Sequence, residues 1–351
     1  MRFASNHRWL ALAILTLMGS AVGLAYRGYF HHQRVQADIY LPWRAARAVF
    51  FEGRNPYGKQ LTSDSQLSFY GRELQPAESQ LDQRRFAYPV YATFLLIPVM
   101  GLPFSNAETV SLLVLIGITV SSLFCWLNAL DWKTSKIVLI GLIVVTLASP
   151  PVLQGLDLRQ LGLFVAGMIA ASAAAAKNGK LSLAGAFLAF ATVKPQEVLL
   201  PVAFLLFWTL NDWRSRKKLV FGFALTLVAL IVAGELASPG WISEFLSALI
   251  AYRKYGATSG AEILLGAKLG ILFTTLLLLL LARRIWKTRS KPDFMPALAM
   301  VLALQLLIMP GLFALYNAVL LIPGMLILTR DLLPYSSLKQ GVDQQTSTIT
   351  P

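Results

Sequence analysis

Hydrophobic and polar positions alternate along this chain in long blocks, and the apolar blocks predict helices. They cover residues 9–26, 88–103, 107–130, 136–153, 160–176, 181–210, 219–237, 262–282, 295–309 and 312–329. Most approach the roughly 20 residues that an α-helix needs to cross a bilayer. The first block follows Arg2 and Arg8 and has no small-x-small cleavage site, so it reads as an uncleaved anchor. A polar stretch, 27–87, separates it from the rest. The Ser/Thr/Gln-rich tail, 333–351, reads as disordered and cytoplasmic. The pattern shows no internal repeat and no second soluble domain, so residues 1–332 read as a single transmembrane domain.

Loop charges orient the blocks. Lys133/Lys136, Lys177/Lys180, the Arg214–Lys218 cluster and the cluster from Arg283 to Lys291 all belong on the cytoplasmic side by the positive-inside tendency. Two features satisfy this together. Block 181–210 divides into two short spans meeting at Lys194-Pro195, since proline disfavours helix at itself and at the residue before. Block 88–103, with Pro89, Pro98 and Pro103, dips in from outside without crossing. About ten spans result, with both termini inside and 27–87 and 238–261 outside. The rival topology lets 88–103 cross and keeps 181–210 as one long span.

Composition fixes the class. Of 351 residues, 56% are hydrophobic and only 14% charged, with mean hydropathy +0.61; a soluble domain carries about 25% charge. The chain is an all-α polytopic membrane protein. Its net charge of +14 therefore reads as orienting loop charge and not as a nucleic-acid surface. The single cysteine, Cys125, excludes an intramolecular disulfide, and three histidines (His7, His31, His32) leave little for metal chemistry.

The outer side of this topology gathers the unusual polar residues. They are Asp38, Arg44, Arg47, Arg84, Arg85, Gln154, Asp157, Arg159, Gln160, Lys194, Gln196 and Glu197, with Arg253, Lys254 and Tyr255 in the later loop. Ionisable groups at membrane depth are costly and mark function more often than not. The halves 181–193 and 196–210 are only about 20–23 Å long as helices, so their junction should floor a cavity below the outer surface. Residues 38–53 read as a short interfacial helix with Leu41, Ala45, Ala46, Val49 and Phe50 on one face and Gly53 closing it. Each polar group also has a plainer reading. Asp38 can be an N-cap, Arg44 and Arg47 can face lipid headgroups, Lys194 can snorkel, and Asp157 and Arg159 can form a local ion pair. The Phe and Leu stripes elsewhere face lipid or core.

A family resemblance then joins these residues. Asp38, Tyr40, Ala46 and the run Phe50-Phe51-Glu52-Gly53-Arg54-Asn55-Pro56-Tyr57 resemble the first external loop of glycosyltransferase family 87. These are polyprenyl-phosphate-mannose-dependent mannosyltransferases of the GT-C class. Phe86-Ala87-Tyr88-Pro89-Val90-Tyr91 resembles the family's Tyr-Pro-Pro segment, with Val90 for the second proline. Ser149-Pro150 leading to Arg159-Gln160-Leu161 resembles its Gly-Gln-x-Asn stretch, and Gly185 running to Val193-Lys194-Pro195 its Gly…Lys-Pro stretch. The likeness runs in order from about residue 38 to 325. Arg159 stands where glycine is usual, and Gly162 where asparagine is typical.

The resemblance implies a GT-C fold and transfer of mannose from a polyprenyl-phosphate carrier to a lipid or glycan hydroxyl, at the outer face of a bacterial inner membrane. Phosphate is a competent leaving group, so one base and a cation suffice, where inverting glycosidases need two carboxylates. Asp38 supplies the base and Lys194 holds the phosphate, with Arg85 and Arg159 as further cations. Tyr57, Tyr88, Asp157 and Gln160 complete the expected substrate contacts. No Asp-x-Asp pair is present, so no metal or other cofactor is expected. The 88–103 segment would seat the polyprenyl tail. Two rivals stand beside this reading. One is a secondary transporter or lipid-linked sugar flippase, which should show a second, symmetry-related helix break. The other is a non-catalytic carrier-binding partner.

Overall fold

The computed structural model describes residues 37–79, 81–252, 260–287, 294–309 and 314–332. The predicted anchor 9–26, the tail 333–351 and Arg253, Lys254 and Tyr255 lie outside them. Every regular element among the described residues is helical. Two helices, α1 (Tyr40–Phe50) and α2 (Lys59–Tyr70), lie in the long polar stretch. The apolar blocks give α3 (Phe104–Ala129), α4 (Lys136–Ala148), α5 (Pro150–Asp157), α6 (Leu161–Lys177), α7 (Leu181–Phe190), α8 (Pro195–Leu210) and α9 (Trp213–Ala237). They continue as α10 (Trp241–Tyr252), α11 (Gly260–Leu265), α12 (Ala267–Lys287), α13 (Phe294–Ile308) and α14 (Ile322–Leu332).

Among these, α3 and α9 are each long and apolar enough to cross a membrane. Together α4 and α5 would make a third span, bent by 57°. The bend falls at Ser149, which takes an extended ψ of 140° because Pro150 follows it. The centre of the bundle is α6, whose alanine-rich surface is buried on nearly every side. It packs against α3, where a side chain on Gly167 would strike Ile118, and against α7, where the Ser172 hydroxyl donates to the Ala184 carbonyl at 2.8 Å. Helices α7 and α9 cross most closely at Gly185 and Gly222. A Cβ at either would come within 2.1 Å of a carbonyl on the other helix, so only hydrogen fits.

Block 181–210 is broken where proline predicts. A 3₁₀ turn, Ala191–Val193, leads to Lys194, which leaves helical geometry at φ −133°, ψ 79°, and α8 restarts at Pro195. Residues 181–210 are therefore two helices and not one continuous helix. A buried glutamine supports the restart: the Gln305 side-chain amide accepts from the Leu200 N–H at 2.8 Å and donates to the Gln196 carbonyl.

Block 88–103 is a 3₁₀ segment, Val90–Leu96, followed by turns. A second such segment, Leu315–Leu321, precedes α14. The expectation of no internal repeat is corrected here. Tyr-x-x-x-Leu-Leu-Ile-Pro-x-Met occurs at 91–100 and again at 316–325; both copies begin in a 3₁₀ segment, the first then passing into turns and the second into α14. The cause is local. Pro98 and Pro323 have no N–H to offer the carbonyls of Phe94 and Val319 four residues back, so Ile97 and Ile322 bond them instead, closing i→i+3 turns.

In the polar stretch, α1 forms as its apolar spacing predicts and ends into Gly53 at φ +61°. Its arginines are engaged by protein groups and are not free surface charges. Arg44 pairs with Glu52 at 2.7 Å and, across to α2, with Asp64 at 2.8 Å. Arg47 donates to the Met100 carbonyl at 2.7 Å while lying over the Trp43 ring. Both arginines thus fasten α1 to neighbouring protein.

Candidate functional site

Asp38 stands one residue ahead of the Ile39 cap of α1 and makes no capping bond to it, so the N-cap reading fails. Its backbone N–H instead donates to the Leu158 carbonyl at 2.8 Å, tying the start of α1 to the α5–α6 turn. That turn presents Gln160, which is 3% exposed and whose side-chain amide donates to Asp38 Oδ2. Arg84 approaches Oδ1 at 3.8 Å. Burial raises the Asp38 carboxyl above the usual 3.8, against the opposing pull of Arg84, Lys194 and the Gln160 amide.

The same Gln160 amide reaches Lys194. Its Oε1 accepts from the ammonium at 3.2 Å, so one glutamine bridges the acid and the cation. Lys194 is buried, not snorkelling: its side chain is 6% exposed, ion-paired to Glu197 one turn on, and its ammonium lies 5.0 Å from the centre of the Tyr316 ring. Glu197 is fully buried, and neither of its oxygens has a hydrogen-bond partner beyond that pair. It lies against Gly162, where a Cβ would come 2.9 Å from Oε1. A side chain at 162 would therefore need the Glu197 carboxylate to shift.

Two arginines near the site adopt left-handed backbone conformations, Arg84 at φ 53° and Arg159 at φ 49°. For a residue with a Cβ this costs roughly 1–2 kcal/mol, and such strain collects at functional sites. Position 159 is thus one that glycine would fill without strain. Arg159 is held by Glu108 at 3.3 Å and by the Asp157 carbonyl at 2.6 Å. The expected Asp157–Arg159 ion pair is corrected accordingly: Arg159 meets the backbone of Asp157, whose side chain is exposed, and takes its charge partner from α3.

The other expected contacts divide into two places. Tyr88 stands beside the site, within electrostatic reach of Asp38 and Lys194. Tyr57 supports it, donating its hydroxyl to the Tyr88 carbonyl at 2.8 Å and stacking on Phe86, which in turn meets the Tyr88 ring. Arg85 is exposed and lines a groove with Tyr57, Gln60 and Glu244, and its neighbour Arg84 is the one that reaches Asp38. Sequence reasoning missed Tyr316, Tyr252 and Glu108. Tyr316 carried a signal in the repeated motif; the other two are assembled only by folding. Among the described residues no three His, Cys, Asp or Glu side chains converge as a metal site.

The family model described as Glycosyltransferase family 87 matches residues 86–310, well over half of the chain. No curated protein and no solved structure matches.

Proposed function

The chain belongs to glycosyltransferase family 87, and from that premise we propose that it moves mannose from a polyprenyl-phosphate carrier to a lipid or glycan hydroxyl. In this reading the fold is of the GT-C type, with about ten spans. The reaction occurs at the outer, periplasmic face of a bacterial inner membrane and inverts the anomeric carbon. The observation that supports it is the Asp38–Gln160–Lys194 bridge, a carboxylate and an ammonium joined by one amide, as a base and a phosphate-binding cation would be.

The steps follow from that geometry. Gln160 occupies Oδ2 of Asp38, which leaves Oδ1, with Arg84 farther off at 3.8 Å, to take the acceptor's proton. The acceptor oxygen attacks the anomeric carbon as the bond to the carrier phosphate breaks, and the phosphate departs with the bonding electrons. Lys194 meets the charge that grows on that oxygen. Burial strengthens both interactions by lowering the local dielectric, and it sets the Asp38 carboxyl nearer to a working base than an ordinary aspartate. The transporter reading asked for a break related to Lys194-Pro195. A second break is present at Ser149-Pro150, and the 3₁₀ segments before Pro98 and Pro323 form a matched pair, so helix breaks do not separate the two readings; membership of a glycosyltransferase family favours transfer.

Incubating purified protein with labelled polyprenyl-phosphate mannose and candidate acceptors tests the proposal. Labelled, anomerically inverted product is expected from wild type and not from Asp38→Asn. Product from Asp38→Asn at a near wild-type rate would remove Asp38 from the chemistry.

A further inference from the structure

The cation beside Asp38 already carries an anion of its own. An ammonium has three N–H donors. Among the described residues, Glu197 takes one from Lys194 and Gln160 takes another at 3.2 Å, which leaves one for a ligand. Both members of the ion pair lie at the restart of the broken helix, Lys194 capping α8 and Glu197 in its first turn. Glu197 is fully buried, and among the described residues nothing but the lysine engages its oxygens. A carboxylate that only stabilised the fold would collect backbone or side-chain donors. This one keeps its negative charge undivided beside the ammonium, in space left by the missing side chain of Gly162.

The reaction changes the charge that Lys194 must hold. The donor is a phosphodiester with one negative charge. When its bond to the anomeric carbon breaks, the phosphate keeps the electron pair and the acceptor's proton goes to Asp38. The carrier is then a phosphomonoester of about −1.5 to −2 at neutral pH. A lone buried lysine would hold this product more tightly than the donor, and release would limit turnover. A phosphate oxygen on the remaining N–H would lie roughly 4–5 Å from the Glu197 carboxylate, close enough for strong repulsion in a buried site. The repulsion acts once on the diester and about twice on the monoester, so it offsets the lysine's added attraction for the product.

We propose that Glu197 is a specificity-determining residue, a built-in counter-anion that keeps Lys194 from holding the phosphomonoester product more tightly than the phosphodiester donor. The inference rests on the reading of Lys194 as the phosphate-binding cation, and it assigns release of the spent carrier to the lysine's own partner.

Farnesyl phosphate and farnesyl methyl phosphate share a tail and differ in charge, so titrating each into purified full-length protein at about pH 7.5 isolates the effect. Wild type should bind the two within a few-fold. Glu197→Gln keeps the shape and removes the charge; it should bind the monoester about tenfold or more tighter, and the diester tighter by less. In turnover its kcat and KM should fall together, as product stays on the enzyme. Glu197→Asp, which keeps the charge, should return the ratio of affinities toward wild type. An unchanged ratio in a folded Glu197→Gln, or weaker binding of both lipids, overturns the proposal. If that variant does not fold, wild type decides: monoester binding more than about tenfold tighter than diester overturns it equally. Failure of the phosphate-cation reading looks different, since Lys194→Ala/Glu197→Gln would then bind both lipids as wild type does.

Discussion

The segments 91–100 and 316–325 share one sequence pattern and begin alike in 3₁₀ geometry, yet their tyrosines do different things. Tyr91 is buried, meets the Thr192 hydroxyl at 3.0 Å and its carbonyl at 3.2 Å, and packs edge-on against Trp241. Tyr316 is half-buried and presents its ring to the Lys194 ammonium, while its backbone N–H donates to Gln154 at 2.9 Å. Both copies therefore meet the broken turn, one at Thr192 ahead of the break and one at the Lys194 charge in it. Local sequence sets the conformation, through the proline that lacks a donor. The neighbour each copy meets sets the duty.

The contrast between a structural tyrosine and a site tyrosine can be scaled, sharpened or broken by substitution. The scale comes from Asp38→Asn, which touches neither tyrosine. Turnover should fall roughly 10²–10⁴-fold, the worth of a general base, with donor binding close to wild type. Its melting temperature in detergent should not fall. The folded carboxyl has a raised pKa, so it contributes stability at low pH and loses it as pH rises through that value. Asparagine removes this cost at neutral pH.

Next in size is the cation itself. Lys194→Ala alone would strand the buried Glu197, so the double variant Lys194→Ala/Glu197→Gln is the informative one. Donor affinity should drop by about 1.5–3 kcal/mol, the worth of a charge-assisted bond. Titration of labelled donor reads this directly, and an unchanged Kd would take Lys194 out of phosphate binding.

The tyrosines come third. Tyr316→Leu should weaken donor binding by about 0.5–2 kcal/mol, and Tyr316→Phe, which keeps the ring face, by much less. In the Lys194→Ala/Glu197→Gln background Tyr316→Leu should become nearly silent. Tyr91→Phe should instead lower stability by about 1 kcal/mol, seen as a lower melting temperature, with donor affinity intact. If Tyr91→Phe shifted donor affinity as much as Tyr316→Leu, the two copies would share one role and the contrast would be broken.

The smallest effect is on pH dependence. The base must be ionised, so kcat/KM should rise with pH through the Asp38 pKa and level off above it. Because that pKa is raised, the acidic limb should lie above 3.8, and Arg84→Gln should move it higher by removing the strongest counter-charge. A limb that stays in place in Arg84→Gln would show that another group limits the rate.

Much of this was legible in the residues. Pro195 breaks the 181–210 block at Lys194, Gly53 closes α1, and Pro150 bends the path after α4, because proline and glycine act on their own backbone whatever surrounds them. Asp38, Gln160 and Lys194 stood out as polar residues in an apolar chain, where every buried polar group needs a reason. The repeat is equally present but is masked, since leucine, isoleucine and proline are common in such a chain and only the shared 3₁₀ start sets it apart.

The sequence by itself determined the helical membrane class, the break points and the chemical types able to act, since these depend on composition and on local backbone sterics. Only the tertiary structure decided which groups meet. It turned Arg84 and not Arg85 toward Asp38, gave Arg44 to Asp64, gave Arg159 to Glu108, and set Glu197 into the space that a side chain on Gly162 would need. It also placed one Gln160 amide between residues 38 and 194. These are long-range pairings between elements, selected because a charge removed from water must find its partner wherever the packing of helices brings one.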